Sequence, residues 1–281
     1  MILTAATLVD GLVFPECPRW HDGALWFADV HAHAIARVRE DGSTERVVLD
    51  ARQPAGLGWA PDGALLYVRM VERTLVRRGV DGERIVADLT ASERVQINDM
   101  VVDARGRAYL GGFGFDINRG DPFEPASVYV VEPDGSARVA AADMQFPNGM
   151  VITPDGRTLI VAETVGRRLT AFDIAPDASL TNRRIWAELP TFPDGICLDA
   201  KGAVWVAAPV TGECLRVRAG GEITDKVTVP GKGVYACMLG GHDGRTLYLC
   251  VAKTSGPELA RGMSTGWIEH VRVDVPHAGL P

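Results

Sequence analysis

The stretch FPNGMVITPDGRTLIVAET (146–164) decides the fold, because it contains a complete strand–turn–strand unit. Asp155-Gly156 lies between two apolar runs, MVIT and TLIVAE, where a hairpin turn is expected. A second turn-like dipeptide, Asn148-Gly149, stands seven residues earlier, braced by Pro147, and no strand leads closely into it. Its place just before a strand requires another explanation than a hairpin turn.

Units of the same kind recur along the chain. They read CPRWHDGALWFADV, LGWAPDGALLYVRM, MVVDARGRAYLGGF, MVITPDGRTLIVAE, ICLDAKGAVWVAA and CMLGGHDGRTLYLCVA. In five of them a third and a fourth strand can follow around a second turn, and helical periodicity of any length is absent. The units recur about every 40 to 50 residues, which is typical of four-stranded propeller blades. The sequence therefore predicts an all-β fold, a six-bladed β-propeller that forms one domain over 1–281.

The two ends of the chain complete the predicted ring of blades. The sixth unit supplies three strands, the last of them in GWIEHVRVDV, and the N-terminal ILTAATLV is a spare strand. Pairing this strand in the last blade would close the ring and remove two exposed sheet edges. An aligned β-sandwich is the alternative architecture.

Aligning the units places one residue of each blade in a common column. The innermost strands of a propeller run in one direction beside the central channel, so this column forms a ring around the axis, here called the inner ring. Four of its six residues carry oxygen donors, which suit Ca²⁺, Mg²⁺ or Mn²⁺ and can also hold Zn²⁺. We expect one divalent metal ion there, although a single Asn-Gly or Asp-Gly is more often a turn. The inner ring consists of Glu16, Ala55, Asn98, Asn148, Asp194 and Tyr235.

Four motifs resemble the senescence marker protein/regucalcin/gluconolactonase family. They are FPECPRW with LWFADV, INDMVVDARGRAYLGG, FPNGMVITPDGRTLIVAET and FPDGICLDAKGAVWVAA, and the likeness covers about 14–252. The resemblance implies a six-bladed propeller with a single catalytic divalent metal. It places the metal ligands on Glu16, Asn148 and Asp194, with Asn98 as a further ligand or a substrate contact.

Two departures from this family concern the substrate. Sugar-lactonase members often carry an Arg at the position of Gln96, and Gln is shorter and neutral. The third blade also has a long insertion, 111–127, with Phe113, Phe115 and Phe123. These aromatic residues suggest an apolar lid, and a plain surface loop is the alternative. The predicted substrate contacts are Asn98, Gln96, Phe113, Phe115, His31 and Tyr235.

The chemistry expected of such a site is metal-assisted hydrolysis of a lactone or ester. Asp194 is the predicted acceptor of the water proton, and Asp99 is the second catalytic candidate. Neighbouring strand residues point to opposite faces, so Asp99 is also suited to bracing the inner ring from outside. His31 and His33 resemble a metal pair on one strand face, but a surface loop with His31 lining the pocket is favoured.

Composition narrows the partners. The net charge is −7 and no Lys/Arg run forms a basic patch, which argues against nucleic acid. No apolar run approaches the ~20 residues that span a bilayer, and the N-terminus is a poor signal peptide. The five cysteines are expected to be reduced and buried. We therefore expect a cytoplasmic protein without nucleic-acid or membrane partners. The resemblance adds a small lactone as the substrate, and we expect a monomer or weak homo-oligomer.

The predicted function is that of a metal-dependent lactonase or carboxylic ester hydrolase of the gluconolactonase kind. Two alternatives use the same site. One is a non-hydrolytic reaction on a carbonyl substrate, as in an isomerase or a lyase. The other is a calcium-binding propeller without turnover.

Overall fold

The computed structural model describes residues 2–49, 51–116, 119–256 and 262–280. Within these ranges the secondary structure is almost entirely β, with one short 3₁₀ helix at Val30–Ala32. The strands form six small sheets arranged as a six-bladed β-propeller, which confirms the predicted fold. Two strands precede the first blade, β1 (Ile2–Thr4) and β2 (Ala6–Leu12).

The first three blades follow one another along the chain, each as a four-stranded antiparallel sheet. Blade 1 consists of β3 (Pro15–His21), β4 (Ala24–Asp29), β5 (Ala34–Val38) and β6 (Thr44–Leu49). Blade 2 consists of β7 (Pro54–Trp59), β8 (Leu65–Arg69), β9 (Thr74–Gly79) and β10 (Gly82–Asp88). Blade 3 consists of β11 (Ile97–Val102), β12 (Ala108–Gly112), β13 (Ala126–Val131) and β14 (Ala137–Met144).

The last three blades repeat this pattern, and the final one takes a strand from the start of the chain. Blade 4 consists of β15 (Pro147–Ile152), β16 (Thr158–Glu163), β17 (Arg168–Ile174) and β18 (Leu180–Glu188). Blade 5 consists of β19 (Ile196–Leu198), β20 (Val204–Ala208), β21 (Glu213–Val217) and β22 (Ile223–Thr228). Blade 6 consists of β23 (Gly233–Gly240), β24 (Thr246–Ala252) and β25 (Gly266–Arg272), with β2 as its outer strand.

The N-terminal segment closes the ring of blades, as predicted. It also pairs with blade 5, which the sequence pattern does not indicate. β2 pairs antiparallel with β25, from Ala6 opposite His270 to Leu12 opposite Gly266. The spare strand is interrupted at Ala5, and β1 before it pairs in parallel with β22 of blade 5. The segment thus covers the outer edges of two neighbouring blades.

The C-terminal segment crosses the end of the channel where the inner strands finish. Ala278 N–H donates to the Leu198 carbonyl at 3.0 Å, and Leu280 forms a two-way backbone bridge with Ile152 at 2.8 and 3.0 Å. These bonds tie the tail to the inner strands of blades 5 and 4. The opposite end of the channel carries the inner ring.

The core lies between the blades. The second strand of each blade is buried almost along its whole length, whereas outer strands such as β10 and β14 are largely exposed. A second strand is covered on both faces by neighbouring blades, so its sequence is a continuous apolar run rather than an alternating one. The five cysteines are free and buried, as predicted.

No helix of the described residues is long and apolar enough to cross a membrane.

Candidate active site

Irregular backbone at the start of the inner strands positions the inner ring. In five blades the pairing of the innermost strand with the second strand slips at this point. A bulge of this kind re-aims a side chain that regular alternation would direct elsewhere, and bulges are common beside active sites. The slips lie between Glu16 and Arg19, Pro54 and Leu57, Ile97 and Met100, Pro147 and Met150, and Val234 and Ala236.

The glycine after Asn148 serves close packing, not a turn. Gly149 lies inside β15, and its φ is outside the left-handed region. A Cβ there would lie 2.6 Å from the Ile196 nitrogen and 2.7 Å from the Gly195 Cα of the next inner strand. Gly195 is equally constrained, because its Cβ would lie 2.5 Å from that of Ala236. Asn148-Gly149 therefore marks where two inner strands touch, and reading it as a turn is wrong.

Glu16 and Asp194 interact electrostatically, although 178 positions separate them in the sequence. Burial and the charge of Asp194 raise the pKa of Glu16 well above its ordinary value. Burial and the charge of Asp99 raise the pKa of Asp194 to about 8, against hydrogen bonds from Asn148 and the Gly195 N–H that lower it. The structure thus brings acids from blades 1, 3 and 5 together at one end of the channel.

Hydrogen bonds fix the Glu16 carboxylate and the Asn148 amide. The Cys17 N–H donates to Glu16 Oε2 at 3.0 Å, and Cys17 has φ 49°, a conformation that is uncommon for a residue other than glycine. Asn148 Nδ2 donates to Thr164 Oγ1 at 3.3 Å, and that hydroxyl donates to the Pro193 carbonyl at 2.7 Å. Thr164 therefore links the inner-ring residue of blade 4 to the segment that carries Asp194.

Asp99 forms a buried ion pair next to the inner ring. Its Oδ1 accepts from Arg19 Nη2 at 2.6 Å, and both side chains are nearly inaccessible to solvent. The same guanidinium donates to the Leu57 carbonyl at 3.1 Å and to the Met100 carbonyl. Asp99 thus makes the bracing contacts that strand alternation suggests, and Arg19 connects the inner strands of blades 1, 2 and 3.

The donor set fits a divalent cation. No group of three or more His, Cys, Asp or Glu side chains in the described ranges is placed to hold a metal ion. At the inner ring, however, two mutually repelling carboxylates stand with Asn148, and the third acid is already paired with Arg19. Carboxylate and amide oxygens are ligands of hard cations, and one divalent ion would balance the two free carboxylates. Glu16, Asn148 and Asp194 are the residues that would hold it, and Asn98, at the corresponding position of β11, is partly exposed.

Aromatic side chains stand beside the inner ring on the side of blades 1 and 6. Phe14 stacks on His31 at 5.5 Å between ring centroids and meets Tyr235 edge-on at 4.8 Å. The Tyr235 pKa is raised by burial and by the charges of Asp194 and Glu16. His31 and Tyr235 thus lie together near the acids.

The two histidines do not share a strand face, so the paired-ligand interpretation is wrong. His31 is in the 3₁₀ helix, and His33 follows it with φ 54°. His33 Nδ1 accepts from the Gln53 N–H at 3.0 Å, which is a loop contact. Burial lowers the pKa of His31, which keeps its imidazole neutral near pH 7.

The long insertion of blade 3 packs next to blade 4. Phe113 and Phe115 are buried and contact Phe146 at centroid distances of 4.7 and 5.7 Å. Phe123 is 45% exposed and touches only the edge of Phe115 among the ring contacts of the described residues. Gln96 lies at the base of this loop, where its carbonyl accepts from the Phe113 N–H at 2.9 Å. Positions 117 and 118 of the predicted lid lie outside the described residues.

Two contributors to the site, Arg19 and Thr164, give no signal in the residue pattern, and a third gives one through the blade alignment. Arg19 reads as one basic residue in a strand, and its partner is 80 positions away. Thr164 follows a strand end and contacts Asn148 only through the fold. Phe146 could have been found, because Phe14 and Phe192 occupy the same column two residues before the inner ring.

Two cavities lie away from the inner ring. One of about 530 Å³ is bordered by His21, Trp26 and Trp59, and one of about 340 Å³ is bordered by Pro61 and Pro133. Both are at the turns that join first to second strands, at the channel end opposite Glu16. Neither is part of the candidate site.

Comparisons with known proteins agree with this architecture. The chain is 28% identical over 282 residues to a 6-deoxy-6-sulfogluconolactonase of Pseudomonas putida, covering 96% of this chain and 94% of the relative. It is 27% identical to pentonolactonase XacC of Haloferax volcanii, with 95% and 92% covered, and 27% identical to regucalcin of Danio rerio, with 84% and 82% covered.

Solved structures give the same result for the fold. A gluconolactonase of Xanthomonas campestris superimposes with a TM-score of 0.76 at 26% identity, covering 98% of this chain and 89% of that one. A calcium-binding regucalcin of Agrobacterium tumefaciens has a TM-score of 0.81 at 19% identity, with 100% and 98% covered. The family described as SMP-30/gluconolactonase/LRE-like region matches residues 14–253. The chain therefore belongs to the SMP-30/gluconolactonase/LRE-like family.

Proposed function

We propose that this protein is a divalent-cation-dependent lactonase that opens a small lactone with water. The observation that carries the proposal is that the acids Glu16 and Asp194 are brought together, with Asn148, at the start of the inner strands at one end of the channel. A structural role alone gives no reason to place like charges together, since their repulsion and desolvation oppose folding. The names of the relatives, a sulfogluconolactonase, a pentonolactonase and a gluconolactonase, support the reaction class.

When bound, a divalent cation would supply the charge that ionises both carboxylates, polarises the lactone carbonyl and acidifies a water molecule. The chain itself then provides orientation and proton transfer. Asp194 accepts a proton from the attacking water while the water oxygen bonds to the carbonyl carbon. As the ring C–O bond breaks, Asp194 returns the proton to the departing oxygen, and the product is an open hydroxy acid.

The remaining residues position these groups. The Asn148 amide and the Gly195 N–H favour the ionised form of Asp194, and the Cys17 N–H donates to Glu16. Asn98 is assigned to the substrate or to the cation, from the neighbouring inner strand. Asp99 acts through Arg19 as a brace and takes no proton from substrate in this scheme.

A pH-stat assay on a lactone panel tests the proposal. Chelator-stripped protein is compared with protein supplied with Ca²⁺, Mg²⁺, Mn²⁺ or Zn²⁺, and with an Asp194→Asn variant. We expect cation-restored acid release and a loss of roughly 10² to 10⁴-fold in kcat for the variant. Asp134→Asn, a change in an exposed turn, is the control and should keep full activity.

Either of two results would contradict the proposal. Acid release that is insensitive to complete chelation would remove the cation from the reaction. Tight cation binding without acid release from any lactone would favour the non-hydrolytic or calcium-binding alternatives.

A further inference from the structure

Each proposed cation ligand is preceded, two residues earlier, by a phenylalanine. The pairs are Phe14 before Glu16, Phe146 before Asn148 and Phe192 before Asp194, each with a proline between them. All three phenylalanines lie in the linkers that enter an inner strand, at the channel end that carries the acids. Three of the six blades thus place an aromatic side chain next to the candidate site.

These aromatic residues form two groups that one methionine connects. On the side of blades 1 and 6, Phe14 packs with Tyr235, and on the side of blades 3 and 4, Phe146 packs with the insertion. Met70, which directly follows the second strand of blade 2, packs against both groups. We call this set the apolar wall: Phe14, Met70, Phe113, Phe115, Phe146 and Tyr235.

The apolar wall retains surface that a ligand can cover. Met70 and Tyr235 are partly exposed, as is Val95 next to Phe146. Methionine is flexible and polarisable, so Met70 can adapt to substituents of different shape. Small-molecule sites typically combine apolar walls of this kind with a few polar groups that orient the ligand.

The charges at the site provide no attraction for an anionic substituent. Three carboxylates face one guanidinium, that of Arg19, and a divalent cation would bring this group only to neutrality. The groups that shift the pKa of Asp194 include no basic side chain. Arg167 lies over the exposed Phe192 at 5.3 Å and donates to the Pro190 carbonyl, so it is held on Phe192 and not on the apolar wall.

Building on the proposed lactone hydrolysis, we propose that the substrates are neutral lactones with an apolar substituent, which packs against the apolar wall. The lactone carbonyl lies at the acids while the substituent covers the exposed surface of Met70 and Tyr235, which the buried Phe146 and Phe14 support from behind. Polyhydroxylated and anionic lactones are the poorer substrates, because the apolar wall leaves their hydroxyl or acid groups without partners.

The experiment compares lactones that share a ring and differ in the substituent. The reconstituted protein is assayed with unsubstituted δ-valerolactone, a pentyl-substituted δ-lactone, a polyhydroxylated δ-lactone and a carboxylated sugar lactone. We expect kcat/KM to be about tenfold or more higher for the pentyl lactone than for the others. Phe146→Ala should lower the ratio of the pentyl value to the unsubstituted value about tenfold. Phe146→Leu should restore most of the loss.

A binding measurement separates this inference from the proposed reaction. Non-hydrolysable δ-lactams with and without the pentyl group are titrated calorimetrically into wild type, Phe146→Ala and Ile185→Ala. Ile185 is 55% exposed on the outer strand β18 and serves as the control. If no lactone is opened but the pentyl lactam binds in a Phe146-dependent way, the proposed hydrolysis is wrong. The inference that the ligand carries an apolar substituent is then supported.

Three outcomes would overturn the inference. They are a preference for the polyhydroxylated or carboxylated lactone, an equal loss of both lactone activities in Phe146→Ala, and equal lactam affinities with and without the pentyl group. Each would show that the apolar wall is only packed structure.

Discussion

At the scale of single residues, buried acids with defined partners hold the inner strands in place. Asp99 is paired with Arg19, and at the ends of two second strands Asp29 and Glu163 accept backbone N–H groups from the linkers entering their own blades. Asp29 binds the Phe14 N–H at 2.7 Å, and Glu163 binds the Gln145 N–H at 2.6 Å. These buried carboxylates are stabilised because each accepts a hydrogen bond from a guanidinium or a backbone N–H.

Arg19→Met leaves the Asp99 carboxylate buried without its cation. We expect the free energy of unfolding to fall by about 3–5 kcal/mol, because an uncompensated buried charge remains. The double variant Arg19→Met/Asp99→Asn should have a free energy of unfolding at least about 1 kcal/mol higher than the single variant, since a neutral amide is buried at a smaller desolvation penalty. Urea unfolding of the two variants measures both values. Equal losses in the single and double variants would show that the pair is not energetically coupled.

Glu163→Gln tests a pH-dependent contribution to stability. Although burial opposes it, hydrogen bonds from Arg168, Thr170 and Gln145 lower the pKa of Glu163 below its ordinary value of 4.5. A lowered folded-state pKa stabilises the protein above the unfolded-state pKa, and this stabilisation is lost as pH falls through the folded-state value.

The free energy of unfolding of Glu163→Gln should therefore be about 3 kcal/mol lower than that of wild type at pH 7. This difference should become smaller below about pH 4.5. Chemical unfolding at pH 7, 5 and 4 measures the gap. Glu188→Gln, an exposed change on the outer strand, is the control. A gap that stays constant down to pH 4 would contradict the assignment.

At the scale of strands, the inner strands combine bulges with close backbone contact. The bulges turn the inner-ring side chains toward one another, and small residues after the inner ring let adjacent inner strands approach. Gly56, Gly149 and Gly195 all occupy this position, and each would place a Cβ within 3 Å of the next strand. At these three positions glycine is therefore required by the close contact between neighbouring inner strands.

Gly149→Ala adds a methyl group that faces backbone atoms of blade 5. Because those atoms cannot move aside as a flexible side chain would, we expect a loss of about 1–3 kcal/mol in unfolding free energy. Activity should fall too, since Asn148 and Asp194 flank the contact. Gly156→Asn is the control: its φ of 70° is one that Asn tolerates, and the turn is open. Thermal unfolding of both variants measures the loss of stability. If Gly149→Ala loses no more stability than Gly156→Asn, the close-contact explanation is contradicted.

At the scale of the whole molecule, the two ends of the chain complete the propeller. The start of the chain adds β2 to blade 6 and β1 to blade 5, and residues 276–280 bond to inner strands on the side opposite the inner ring. Neighbouring blades pack through their buried side chains, including blades 6 and 1, and β2 adds the strand that runs from the outer edge of blade 6 into blade 1.

Deleting residues 1–12 removes β1 and β2 and exposes the edge of β25. We expect Tm to fall by about 5–10 °C and association to increase with concentration, because an unpaired edge strand templates pairing between chains. Deleting only residues 1–5 removes β1 and should lower Tm clearly less. Calorimetry and light scattering provide the measurements. Equal Tm values for the two deletions would show that β2 does not close the ring.

The sequence by itself determined the number of blades and the column of inner-ring residues. Both follow from local information, because each blade repeats one strand–turn pattern and the same position of each repeat faces the axis. For the same reason Glu16, Asn148 and Asp194 could be grouped before any contact was known.

Only the tertiary structure decided which residues meet across blades. Four such features join segments that are distant in sequence. They are the pairing of Arg19 with Asp99, the contact point at Gly149, the position of β1 on blade 5 and the link made by Met70. Periodicity reports which face of its own strand a residue occupies. It carries no information on which residue of another blade stands opposite, because that depends on twist, bulges and packing summed over the whole ring.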